Sequence, residues 1–162
     1  MHGKKSVVHE LNVLLTGELT AADQYFVHSR MYENWGFARL YQRAEHERVE
    51  ELEHAALLIH RILFLEGTPD VASRAPLAIG SSVPEMLKSD VAYENQVIAA
   101  LKKAIVLCET EQDFESRRIL VHLLEDTEED HTYWLEQQLG LIDKIGLANY
   151  LQSAVGSDLG TP

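Results

Sequence analysis

A chain of 162 residues, 46% of them hydrophobic, is long enough for one domain with its own core and too apolar to stay disordered. One cysteine, Cys108, excludes an intrachain disulfide framework and a cysteine-built zinc or iron–sulfur site, and fits a reducing cytoplasm. A net charge of −12 argues against nucleic acid, whose phosphates recruit Lys and Arg, and favours cations at the surface. The opening MHGKKSVVHELN lacks the apolar core of a secretion signal, and no run of 18 apolar residues is present, so no membrane span is expected.

Residues 4–33 carry Leu11, Leu14, Leu15, Leu19, Ala22, Tyr25 and Phe26 at helical spacing, predicting a first helix with a core stripe. Asn34-Trp35-Gly36 reads as a break. A second helical pattern runs from about Ala38 to Glu66 and stops at Gly67-Thr68-Pro69. Residues 67–82 lack periodicity and read as a connection. Ser82-Val83-Pro84-Glu85 then matches a capping box, with Ser at the N-cap and Glu three residues on. A third helix follows to about Glu111. Asp113 or a neighbour starts a fourth, reaching about Leu139, with Gly140 and Gly146 bracketing its exit. Leu147 to Val155 predicts a short fifth helix. One domain over 1–156 is expected, with SDLGTP (157–162) as a frayed tail.

Four long helices, one long link and a short last helix define an all-α four-helix bundle. A helix of about 27 residues is roughly 40 Å long. An extended 16-residue link spans about 50 Å. The link can therefore travel the length of the bundle and set the second and third helices parallel.

The stretch EDTEEDH at 125–131 puts a run of acids inside an otherwise core-like helix. Of eight histidines, two have Glu three residues earlier, Glu51/His54 in the second helix and Glu128/His131 in the fourth. Residues three apart on a helix share a face. Glu18 and Glu94 are single acids on the apolar stripes of the first and third helices. Glu18 precedes Glu51 by 33 residues and Glu94 precedes Glu128 by 34, as if one hairpin were used twice. Four carboxylates meeting in a core would be prohibitively charged unless cations joined them. Two divalent ions balance them, and a carboxylate and imidazole set without thiolate suits Fe, Mn or Zn. One Glu from each of two helices and Glu-x-x-His from the other two is the arrangement of di-iron carboxylate bundles, matched rather than deduced.

At these residues a family becomes recognisable. LLTGELTAADQYFVHSRMYENWGF, RILFLEG, EML-SDVAYE, DTEEDHTYWLE and GLANYLQ make the chain resemble a bacterioferritin over nearly its whole length. The resemblance implies a ferritin-like fold and a hollow cytoplasmic shell of 24 subunits. Such a shell oxidises Fe(II), with dioxygen or peroxide as oxidant, and stores the ferric mineral. It implies Glu18 and Glu94 as terminal ligands, Glu51 and Glu128 as bridges, and His54 and His131 as one ligand to each iron. Haem-binding members use a Met at the position held here by Leu52, which has no lone pair to offer iron. The chain is therefore similar to the haem-less subunit type, with co-assembly alongside a Met-bearing sister subunit as an alternative.

The same resemblance points to His46 and Glu50 as an inner-surface iron site, against a solvated acidic surface. Tyr25 is either an electron donor or an ordinary core aromatic, and Trp134, one turn from His131, reads as an ordinary core aromatic. Asn149 and Gln152 match residues lining a fourfold pore, against plain exposure on a short helix. The competing functions are a haem-bearing subunit, a non-storage di-iron oxidase or peroxidase, and a helical adaptor.

Overall fold

A computed structural model describes residues 2–156, so the expectation of a frayed tail at 157–162 lies outside the described residues. The helices are α1 (Lys5–Asn34), α2 (Ala38–Phe64), α3 (Val83–Thr110), α4 (Phe114–Asp126), α5 (Tyr133–Ile145) and α6 (Leu147–Val155). Between α4 and α5 the fourth rod continues through a π-helical turn, Thr127–Thr132. The architecture is the expected four-helix bundle with a short last helix, and no strand occurs among the described residues. No helix among them is long and apolar enough to cross a membrane.

Local chemistry starts the rods. Ser82 Oγ accepts from Glu85 N at 3.4 Å, as the capping box predicts, but the Glu85 carboxylate reaches back to Ser81 N (2.9 Å) rather than to Ser82. Asp113 caps α4 by accepting from Ser116 N at 3.0 Å, and it also takes a 2.6 Å bond from Arg61. The expected exit at Gly140 is displaced. α5 runs through Gly140 to Ile145 because Leu139 and Ile142 still have core to pack against, and the chain turns at Gly146, whose φ of 81° suits glycine.

The crossover lies along α1. Asp70 N meets Asn12 Oδ1 (2.7 Å), Ala75 N meets Thr20 Oγ1 (2.9 Å), and Ala78 N meets Gln24 Oε1 (3.1 Å). Gly80 N then meets His28 Nε2 at 3.4 Å. The connection climbs the bundle and delivers α3 antiparallel to α1, as the Tyr93 hydroxyl donating to Gly17 O and Lys103 reaching Glu10 show. α2 and α3 are therefore parallel, as the link length requires.

Two apolar clusters result. One gathers Leu11, Leu15, Leu58, Ile62, Leu101 and Leu120; the other gathers Tyr25, Leu40, Met86, Leu87, Leu135 and Tyr150. The α1, α2, α3 and fourth-rod residues between the two clusters are largely polar. Phe26 does not join the stripe expected of it. It is 48% exposed on the outer face of α1, where the guanidinium groups of Arg30 and Arg48 cover its ring.

Gly80 packs where a side chain has no room, since a Cβ there would lie 2.4 Å from Met86 N and 2.7 Å from Glu85 C. Gly80→Ala is expected to lower stability by about 1–3 kcal/mol, read as a drop in melting temperature. Gly140→Ala, with open space around it, is the control and is expected to hold or raise the melting temperature.

Candidate metal centre

The polar layer is built from one face of each rod. α1 supplies Glu18, α2 supplies Glu51 and His54, α3 supplies Glu94 and the π turn supplies His131, all buried. Glu51 and His54 share a face of α2 by their three-residue spacing. Two groups of ligand atoms form, Glu18 with Glu51 and His54, and Glu51 with Glu94 and His131, each within 4.8 Å. Glu51 belongs to both. Its Oε2 lies 3.6 Å from His54 Nδ1, and its Oε1 lies 3.1 Å from His131 Nδ1. Glu18 Oε2 closes the first group at 3.5 Å from His54 Nδ1, and Glu94 Oε1 closes the second at 3.5 Å from His131 Nδ1.

The donor atoms converge but do not satisfy one another. Both Glu18 oxygens, Glu51 Oε1, Glu94 Oε2 and the Nδ1 atoms of both histidines are buried without a hydrogen bond. Such atoms are costly unless a cation fills the gap. Each imidazole is oriented from behind by a carboxylate. His54 Nε2 lies 3.3 Å from Asp126 Oδ2 and His131 Nε2 lies 3.0 Å from Glu50 Oε2. That leaves Nδ1 of both rings aimed inward, the usual support of a metal-bound histidine. The two rings stack with centroids 5.7 Å apart. The residues present therefore fit a pair of metal ions, and the hard-oxygen and imidazole set suits iron.

Without metal, protons supply the missing charge. Burial pushes the Glu18 carboxyl up to about 8, and the nearby Glu51 carboxylate adds to the shift. Burial opposes a charge on His54, but the Glu18 and Glu51 carboxylates outweigh it and raise the imidazole to about 11. His131 is raised too, where Glu47, Glu51 and Glu94 overcome the same desolvation. Tyr25 donates its hydroxyl to Glu94, and burial together with Glu94 holds the phenol well above its ordinary value, so it stays a donor.

Glu128 departs from the expectation. Its side chain is 40% exposed and lies 2.5 Å from Lys102 on α3, outside both groups. The wide turn explains this. A π turn carries one residue more than an α turn, so residues three apart no longer share a face. His131 keeps its inward direction and Glu128 is rotated away. In its neighbourhood Asp126 faces His54 instead.

Of the other expected residues, His46 and Glu50 do pair, at 3.2 Å on the outer side of His131, with the His46 side chain 54% exposed. Leu52 is exposed on α2 beside Val49, away from the polar layer. Asn149 is exposed and donates to Ile145 O at 2.8 Å, and Gln152 is also exposed. Trp134 lies beneath the Arg43 guanidinium rather than in the layer. Sequence reasoning missed Glu47, which is 2% exposed and faces His131, Asp126 as the partner of His54, and Asp130 in the group around His131. Glu47 stands four residues before Glu51, and that spacing was the available signal.

Residues 8–145 match the model of the ferritin-like domain named Ferritin. The chain is 60% identical to a protein named bacterial ferritin from Synechocystis, over 94% of this chain and 98% of that one. It is 58% identical to a bacterial ferritin of Pseudomonas aeruginosa, over 96% of this chain and all of the relative. Against a bacterioferritin of Mycolicibacterium paratuberculosis identity is 40%, over 96% and 97% of the two chains. With its rods, its crossover and its polar layer already in agreement, the chain belongs to the ferritin family.

Proposed function

We propose that this chain is an iron-storage protein that oxidises Fe(II) at the polar layer and holds the ferric product inside a closed shell of 24 copies in the cytoplasm. The observation that carries the reading is Glu51, a buried carboxylate whose two oxygens face two different histidines. Relatives named bacterial ferritin and bacterioferritin support it.

Fe(II) is the substrate, and two ions held side by side each give one electron to dioxygen or peroxide. The chain's own residues do the rest. Glu51 spans the two positions, Glu18 and Glu94 close the ends, and His54 and His131 present Nδ1 because Asp126 and Glu50 hold their far nitrogens. Protons on Glu18 and His54 leave as ions enter, so charge in the layer stays balanced. The Tyr25 hydroxyl fixes the Glu94 carboxylate that it touches and stands where an electron donor would stand. Oxygen ligands favour the harder Fe(III) product.

Leu52 supplies no ligand for haem, so a homodimer of this chain carries none, and haem enters only through a Met-bearing sister subunit in a mixed shell. His46 and Glu50 serve as an iron stop between the layer and the inner surface. Asn149 and Gln152 line the fourfold opening.

Native mass with anaerobic Fe(II) loading followed by air is the direct test. A particle on the order of 440 kDa, from 18.3 kDa chains, that takes up far more than two irons per chain is expected. A monomer or dimer that stops at two irons would instead be a non-storage di-iron oxidase.

Glu51→Gln is expected to weaken binding of both ions, by at least about 100-fold in anaerobic Co(II) titration, because both positions lose a ligand. Glu128→Gln is expected to cost less than about tenfold, since its carboxylate sits on Lys102. Equal losses would mean that the turn rewinds on loading and brings Glu128 into the layer.

Folded-state pKa values above the unfolded ones make the metal-free fold lose stability as pH rises. For Glu18 the window runs from 4.5 to about 8, and for His54 from 6.5 to about 11. The metal-free melting temperature is therefore expected to be lower at pH 8.5 than at pH 6. The rise caused by Zn(II) is expected to be larger at the higher pH, because fewer protons must then be expelled. Differential scanning fluorimetry reads both, and a pH-independent metal-free transition would contradict them.

A further inference from the structure

Two side chains of α1 face both ways. Gln24 Oε1 accepts from Ala78 N of the crossover at 3.1 Å, and its Nε2 donates to Asp90 Oδ1 on α3 at 2.8 Å. His28 Nε2 accepts from Gly80 N at 3.4 Å, so the ring proton sits on Nδ1. That proton faces both Asp90 oxygens, with Nδ1 at 2.9 Å from Oδ1 and 3.0 Å from Oδ2. Every donor in this chain of bonds points the same way, from crossover backbone through α1 to one carboxylate. Gln24, His28 and Asp90 are all buried.

That polarity fixes the chemistry needed at position 90. N–H groups face both of its oxygens, so only an ionised carboxylate fits without setting donor against donor. Asp90 is not among the converging ligand atoms of the layer. It stands one turn before Glu94, which the Tyr25 hydroxyl grips from the α1 position beside Gln24. Gln24, Tyr25 and His28 thus hold two successive carboxylates of α3. The space between Ala21, Gln24, Tyr25, Asp90, Tyr93 and Glu94 is too small for a water molecule, so a lost bond finds no solvent substitute.

We infer that Asp90 is a positioning residue for one half of the dinuclear layer: its two α1 donors lock the turn of α3 that aims Glu94 at His131, and the crossover backbone, by occupying the far ends of Gln24 and His28, keeps those donors turned toward it. The inference rests on the dinuclear reading above. The lock acts on one ion position. Glu94 Oε1 reaches its place 3.5 Å from His131 Nδ1 only through the register of α3. Glu18, Glu51 and His54 are carried by α1 and α2, which pack directly on each other. Asparagine at position 90 would keep the shape and lose the lock, because its amide nitrogen must face either the Gln24 donor or the His28 proton.

The test is anaerobic Co(II) titration of the assembled protein, read in the visible absorption of the bound ions. Asp90→Asn is expected to weaken one of the two ions about tenfold and to leave the other unchanged. Combination assigns the position. Added to Glu94→Gln, which already lacks that ligand, Asp90→Asn is expected to cost little further, whereas added to Glu18→Gln it is expected to cost the full factor of about ten. His28→Gln offers the same acceptor and donor ends as Gln24 and is expected to bind Co(II) more tightly than His28→Leu, which offers neither; this pair carries the test if Asp90→Asn folds poorly. Equal weakening of both ions, or a lowered melting temperature with both affinities intact, would overturn the positioning role alone. Parent protein that binds fewer than two ions would overturn the dinuclear reading and this inference together.

Discussion

Three carboxylates and two imidazoles lie buried between two apolar clusters, and their mutual charge is the constraint around which the bundle is organised. Ionised carboxylates leave water at great cost unless something positive accompanies them. Protons meet that need on Glu18, His54 and His131, and metal ions can take their place. The apolar clusters above and below do not neutralise the layer, but they hold the rods so that its atoms cannot spread apart. A layer that needs positive charge captures the cations it is given, and the proposed oxidation of iron starts from that capture.

The crossover contributes to this in a less visible way. Its backbone hangs on a ladder of α1 side chains, Asn12, Thr20, Gln24 and His28. Gln24 and His28 in turn hold Asp90 on α3, one turn before Glu94. Asp90 is buried and its pKa is raised by desolvation, with His28 and Gln24 opposing that shift. This network therefore sets the height of α3 against α1, and with it the position of Glu94 against Glu18. A long link without regular structure thus helps place a ligand.

Much of this was legible from residue spacing. The apolar stripes marked the rods, Ser82 and Asp113 marked two helix starts, acids alone on those stripes marked Glu18 and Glu94, and Glu–His spacing marked Glu51, His54 and His131. Glu128 was not, because three-residue spacing signals a shared face only in a regular helix. Nothing in EDTEEDH announces that the ladder widens there. Gly140 misled for a related reason: its low propensity is local, whereas Leu139 and Ile142 are half-buried against partners elsewhere in the chain. Glu47 went unseen because charged residues on a helix rich in charges of both signs look like surface until the neighbouring rod covers them.

The widened turn at Thr127–Thr132 also isolates mechanical events. A uniform helix passes any axial slip or rotation from one end to the other. A rod with a spare residue in its middle can absorb such movement as a travelling dislocation. Rearrangement around His131 can then die out within a few residues, leaving the outer half of the rod, α5 with α6 behind it, in register with whatever it touches.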